Sequence, residues 1–254
     1  MVSIIQKLAD EMPDARRFES DEPEMESSLH YIQLMVLVAS LELLWHNRTD
    51  FFLGANLTVY FSRQQLKNRD FRGPDLFLVQ DTERKPRKSW VVWEEDGKYP
   101  DLIIELLSDS TAEVDRSLKK ELYQNSFHTY EYFWFSPETM EFQGFRLVNR
   151  RYQPIPTDAK GHRWSEVLNL YLGISDSQLR YFLPNGDLVP TPSEEALQQR
   201  VLVQQHLQFM EQQKQEVDRQ RQIIDQQTQE TDRQRQRADQ LAERLRSLGL
   251  DPED

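Results

Sequence analysis

The sequence predicts an α/β domain followed by one long helix, and three observations carry that expectation. Two short apolar segments, Gly73-Pro74-Asp75-Leu76-Phe77-Leu78-Val79 and Pro100-Asp101-Leu102-Ile103-Ile104-Glu105-Leu106-Leu107-Ser108, have the length and composition of buried strands. Helix-length patterns lie on either side of them, at 28–46 and 112–125. Residues 193–248 contain no Gly or Pro and are rich in Gln and Arg, which changes the character of the chain.

Residues 1–28 are polar and acidic, with Pro13 and Pro23, and read as an irregular arm. From 28 to 46 the pattern is strongly apolar, with Leu29, Ile32, Leu34, Val36, Leu37, Leu41, Leu44 and Trp45, so a core helix with few exposed faces is expected. The stretch 51–61 reads as a strand pair or a bent strand interrupted at Gly54-Ala55-Asn56. After the strand at 75–80 come a basic turn and Trp90-Val91-Val92-Trp93, read as a further strand ending at Asp96-Gly97-Lys98. Ser108-Asp109-Ser110-Thr111 is a helix-initiating cluster. The helix it opens carries Asp115, Lys119 and Tyr123 at four-residue steps, which places them along one face. Strands at 130–135 and 141–148 follow, and the globular part, 29–192, closes in a Pro-containing segment.

In the tail, Val203, Met210, Val217, Ile224, Thr231, Ala238 and Leu245 recur every seven residues. A second seam (Leu207, Lys214, Arg221, Thr228, Arg235, Ala242) is mostly polar. A coiled coil over 193–248 is expected, with a homodimer as its product. A solitary polar helix is the alternative.

Composition bounds the chemistry. With 38% apolar side chains in 254 residues, the chain can bury a full core. The absence of cysteine excludes a disulfide framework and thiolate catalysis. The start Met1-Val2-Ser3-Ile4-Ile5-Gln6-Lys7 is not that of a secretory signal, and the apolar run 34–44 is too short to span a bilayer. A cytoplasmic protein with no membrane partner is expected. The net charge is −12, yet residues 63–88 hold eight basic and four acidic groups, a local surplus around the first strand where a phosphate backbone could be held.

The two strand acids are the main chemical clue. A carboxylate in a strand core must lose its charge, find a partner or hold a cation, because an unpaired buried charge is very costly. Glu105 stands among Ile103, Ile104, Leu106 and Leu107, where packing alone has no use for an acid. If the two strands are adjacent, Asp75 and Glu105 meet, and carboxylate oxygens are what Mg²⁺ takes. A lysine on the following helix, Lys119, adds the ammonium that phosphodiester cleavage uses to orient water or stabilise charge.

These residues resemble the Uma-type family of restriction-endonuclease-like proteins, a branch of the PD-(D/E)XK nucleases. The resemblance rests on Arg72-Gly73-Pro74-Asp75, on Pro100 through Ser108, on Asp115, Lys119 and Tyr123, and on Glu131-Tyr132-Phe133-Trp134-Phe135-Ser136-Pro137. It covers about residues 18–190. It implies a mixed β-sheet core flanked by helices, Asp75 and Glu105 as ligands for Mg²⁺ or Mn²⁺, and Lys119 as the catalytic lysine. It also implies a site wall drawn from His30, Glu26 and Tyr123. DNA is the implied partner, its backbone met by Arg72, Arg84, Lys85, Arg87 and Lys88. One departure stands out: the parent motif has a lysine two residues after the glutamate, and here that position is Leu107. The resulting expectation is a metal-dependent endodeoxyribonuclease. Its alternative is an inactive nuclease-fold scaffold that oligomerises through its tail.

Overall fold

A computed structural model describes residues 27–61, 73–108 and 112–247, and the chain divides into two compact units, Met1–Pro192 and Ser193–Asp254. The first is a mixed α/β unit. Its centre is a six-stranded sheet built from β1 (Phe51–Ala55), β3 (Leu76–Gln80), β5 (Leu102–Leu106), β6 (Glu131–Phe135), β7 (Phe142–Val148) and β8 (Arg151–Pro154), in that spatial order. Only β5 and β6 run parallel; the other neighbours are antiparallel. That parallel step needs a crossover, and the helical segment 112–127, here α2, supplies it.

The sheet buries both faces, and strand alternation sorts its residues between two cores. Leu76, Leu78, Leu102, Ile104 and Leu106 face the helix α1 (Ser28–Leu44) and a small three-stranded sheet of β9 (Arg163–Ser165), β10 (Leu170–Ser175) and β11 (Gln178–Phe182). Phe77, Val79, Ile103 and Leu107 face α2 and Trp90. Gln33 of α1 exchanges two hydrogen bonds with the Leu179 backbone, fixing the helix to β11. Gly54 is a close-approach position, since a Cβ there would lie 2.3 Å from the Phe77 ring.

Three expectations change. α1 is not apolar-buried all round: Leu29, Tyr31, Ile32 and Met35 are exposed along one side, because only the stripe from Leu34 to Leu41 meets the sheet. The 51–61 stretch splits into β1 and a separate β2 (Val59–Tyr60), which pairs in parallel with β4 (Trp90–Val91) in a sheet of its own. Beyond Val91 the predicted strand turns instead into a 3₁₀ turn, Val92–Glu94, and the Val92 carbonyl accepts from Glu95 and Gly97 to reverse the chain.

α3 (Pro192–Ser247), 56 residues long, makes up most of the second unit and is exposed over most of its length. Pairs such as Gln220 on Glu216 support it locally. The seam residues Val203, Met210, Val217 and Ile224 are all exposed. Among the described residues no helix is long and apolar enough to cross a membrane.

Candidate active site

The register of β3 on β5 builds the site. Leu76 pairs with Ile104, so the next residues outward, Asp75 and Glu105, fall opposite one another. Both have the parity of Phe77 and Ile103, which puts them on the face covered by α2. The Leu106 N–H donates to Asp75 Oδ2 at 2.7 Å, and the Asp75 N–H donates to Glu105 Oε2 at 3.2 Å. Glu105 is fully buried, whereas Asp75 keeps a partly exposed side.

α2 completes the cluster. It is not a plain α-helix: Ala112–Val114 and Lys120–Leu122 are α-helical, while Asp115–Lys119 and Tyr123–Phe127 are wound as π turns. In an α-helix each four-residue step drifts by about 40° beyond a full turn. The wider π turns offset that drift and keep Asp115, Lys119 and Tyr123 turned toward the sheet. Lys119 Nζ lies 3.1 Å from Glu105 Oε2 and 2.8 Å from Asp115 Oδ1. The Tyr123 hydroxyl donates to Glu105 Oε1 at 2.7 Å. Asp115 is anchored through its backbone as well, its carbonyl accepting from the Tyr132 hydroxyl at 2.8 Å.

Three carboxylates therefore surround one ammonium. Burial lifts the Glu105 carboxyl to about 7, with the Lys119 charge pulling it back and Asp75 pushing it further up. Burial likewise raises Asp75, against the pull of Lys119 and the Leu106 N–H. For Lys119, burial works against the charge, but Glu105, Asp115 and Asp75 together outweigh it and hold the amine above the ordinary lysine range. It is a fixed cation and not a proton acceptor. Burial keeps the Tyr123 phenol protonated, so it remains a donor.

The donor set fits a hard divalent ion. Among the described residues no three His, Cys, Asp or Glu side chains gather as a complete metal cage. Two carboxylates, one of them partly open, are what Mg²⁺ uses when it retains water and takes substrate phosphate as further ligands.

The other sequence-predicted residues divide. His30, buried on α1, places Nε2 3.1 Å from the Leu106 carbonyl and Nδ1 2.9 Å from Ser27 Oγ, so it braces the residue after Glu105, whose N–H holds Asp75. Glu26 and Arg72 lie outside the described residues. Arg84 turns onto Glu42 and lies over Phe51, and Arg87 is buried between Glu95 and the rings of Phe52 and Trp90. Lys85 pairs with Glu83, and both Lys85 and Lys88 are exposed. Asp115 is the site residue that sequence reasoning underrated. Its spacing four before Lys119 was visible, but not its burial.

A family model described as "Uma2: Putative restriction endonuclease" matches residues 23–177, more than half of the chain. The chain belongs to the Uma2 family. No curated protein matches it significantly. Among solved structures it is similar to a "putative nuclease belonging to DUF820 from Anabaena variabilis ATCC 29413". That similarity has 13% identity and a TM-score of 0.45, over 70% of this chain and 97% of that one. Within the Uma2 match fall Asp75, Glu105, Asp115, Lys119 and Tyr123 alike.

Proposed function

We propose that this Uma2 protein is a Mg²⁺-dependent endodeoxyribonuclease, able to use Mn²⁺, that hydrolyses DNA phosphodiester bonds at Asp75, Glu105 and Lys119. The observation that carries the reading is the surplus of three carboxylates over one ammonium in a cluster opening at Asp75. Asp75 and Glu105 would hold the ion, whose Lewis acidity activates water and screens the phosphate.

The remaining work falls to the chain's own groups. Tyr123 and the Asp75 N–H fix the two Glu105 oxygens, so the carboxylate is oriented before substrate arrives. Lys119 supplies positive charge for the phosphate oxygens and orients the attacking water without taking its proton. His30 backs the site from the other face of the sheet, bonding the Leu106 carbonyl while the Leu106 N–H holds Asp75. Lys85 and Lys88, joined by Arg72, meet the DNA backbone, while Arg84 and Arg87 shape the loop that carries them. The tail pairs two copies through Val203, Met210, Val217 and Ile224, which suits cutting of both strands. Sedimentation equilibrium tests that pairing: Ile224→Lys should shift a dimer toward monomer, and a wild-type monomer would refute it.

One observation favours the other reading, an inactive scaffold. Lys119 already sits on Glu105, so the fold balances part of its buried charge without metal. Cleavage of supercoiled plasmid with Mg²⁺ or Mn²⁺ separates the two. Wild type should nick or linearise DNA and Glu105→Ala, purified identically, should not. Equal cutting by both would place the chemistry elsewhere, and no cutting by either would leave the scaffold.

A further inference from the structure

We propose that Asp115 is the carboxylate to which Lys119 retreats when a divalent ion occupies the Asp75–Glu105 pair, so that ion and lysine exchange places on Glu105. The inference rests on the metal reading above and adds a hand-over that the reading does not require. Lys119 Nζ lies against Glu105 Oε2 at 3.1 Å, and an ion on Glu105 would compete for the same carboxylate. Two cations on one carboxylate repel, so the ammonium must loosen its hold. Its exit to water is narrow, since its side chain is 12% exposed and its neighbours Glu105 and Asp115 are 0% and 1% exposed. A buried ammonium released without a partner is heavily penalised.

Asp115 resolves this, because its Oδ1 already stands 2.8 Å from the same nitrogen. Lys119 can drop one contact while keeping the other, with little movement. Asp115 itself is held still, four residues back on a π turn and tied to Tyr132 through its backbone. Charge supports the same exchange. Three carboxyl groups, Asp75, Glu105 and Asp115, share one ammonium, and a divalent ion would add positive charge that Lys119 alone does not supply. Asp115 is thus a positioning residue. It does not reach the metal, but it sets how readily Glu105 can be freed for it.

The test is titration of Mn²⁺, and separately Mg²⁺, into the full-length protein by calorimetry, with no DNA present. Circular dichroism would establish that each variant is folded. Lys119→Met removes the competing cation and should bind Mn²⁺ several-fold more tightly than wild type. Asp115→Asn leaves Lys119 with Glu105 as its one full carboxylate partner and should bind at least about ten-fold more weakly. Asp115→Glu, which restores a carboxylate, should recover most of that loss. The decisive variant is the double one. Without Lys119 there is no ammonium to hand over, so adding Asp115→Asn to Lys119→Met should change affinity less than two-fold. An equal loss in both backgrounds would reduce Asp115 to a distant charge and overturn the hand-over alone. No binding of either ion by wild type would overturn the metal reading, and the hand-over with it.

Discussion

Glu105 on β5 and Glu131 on β6 are both fully buried on neighbouring strands, yet their surroundings differ in kind. Glu131 is filled by donors: Arg146 Nε at 3.1 Å and Nη2 at 2.8 Å, the Glu166 N–H at 2.9 Å, and the Ser165 hydroxyl. Its charge has a guanidinium directly upon it, and its role is to fasten the loop at 165–166 to the sheet. Glu105 instead shares one ammonium with Asp115 and presses against a third acid, Asp75. A buried acid with enough donors is part of the architecture. A buried acid whose ammonium is shared with a second acid, beside a third acid and a partial opening, is a candidate place for a cation.

The difference can be broken first at Asp75. Asp75→Asn can still accept from the Leu106 N–H while removing one acid from the cluster. It should lower metal-dependent DNA cleavage by at least about 1000-fold, the loss of several kcal/mol of transition-state stabilisation. In the same protein the midpoint of thermal unfolding should rise, because a surplus charge is gone. A lower midpoint would show that the acid cluster stabilises the fold after all.

Glu131 should respond in the opposite way. Glu131→Gln leaves Arg146 without its buried carboxylate and should cost about 3 kcal/mol in chemical denaturation, while the protein that remains folded cuts DNA at the wild-type rate. A variant that kept its stability but lost cleavage would merge the two sites into one.

The pH dependence sharpens the contrast further. Glu105 has a folded-state value of about 7 against an ordinary value of 4.5, so the folded protein holds this proton more tightly than the unfolded chain. Its contribution to stability is therefore fully present below about 4.5 and is lost as pH rises through about 7. Unfolding measured across that window without metal should show the decline, and saturating Mn²⁺ should change its course. A flat profile would contradict the unbalanced charge assigned to Glu105.

The smallest effect lies in the basic loop. Replacing Lys85 and Lys88 together with alanine should leave thermal stability unchanged, weaken DNA binding, and lower the salt dependence of binding by roughly one unit per lost contact. Arg87→Ala should instead destabilise the fold, since its side chain is packed against Phe52, Trp90 and Glu95.

Much of the site was legible because strand and helix periods are strict. Asp75 and Glu105 announce themselves as acids inside apolar runs, and four-residue spacing aligns Lys119 with Tyr123. What stayed hidden depends on partners distant in sequence. Arg84 and Arg87 read as loop charges until Phe51, Phe52 and Trp90 are seen beneath them. The exposed side of α1 could not be read from a segment that is apolar in every direction. Asp115 looked like any acid near a helix start, and the π turns that aim it have no sequence signature to find.

Whether the Asp75–Glu105 pair is built to receive a divalent ion can be decided by thermal unfolding of three proteins with and without Mn²⁺. Wild type and Glu131→Gln should each be stabilised by the ion, by about 2.7 kcal/mol at one hundred times the dissociation constant, while Asp75→Asn should gain almost nothing. Equal gains in all three, or no gain in wild type, would contradict the account.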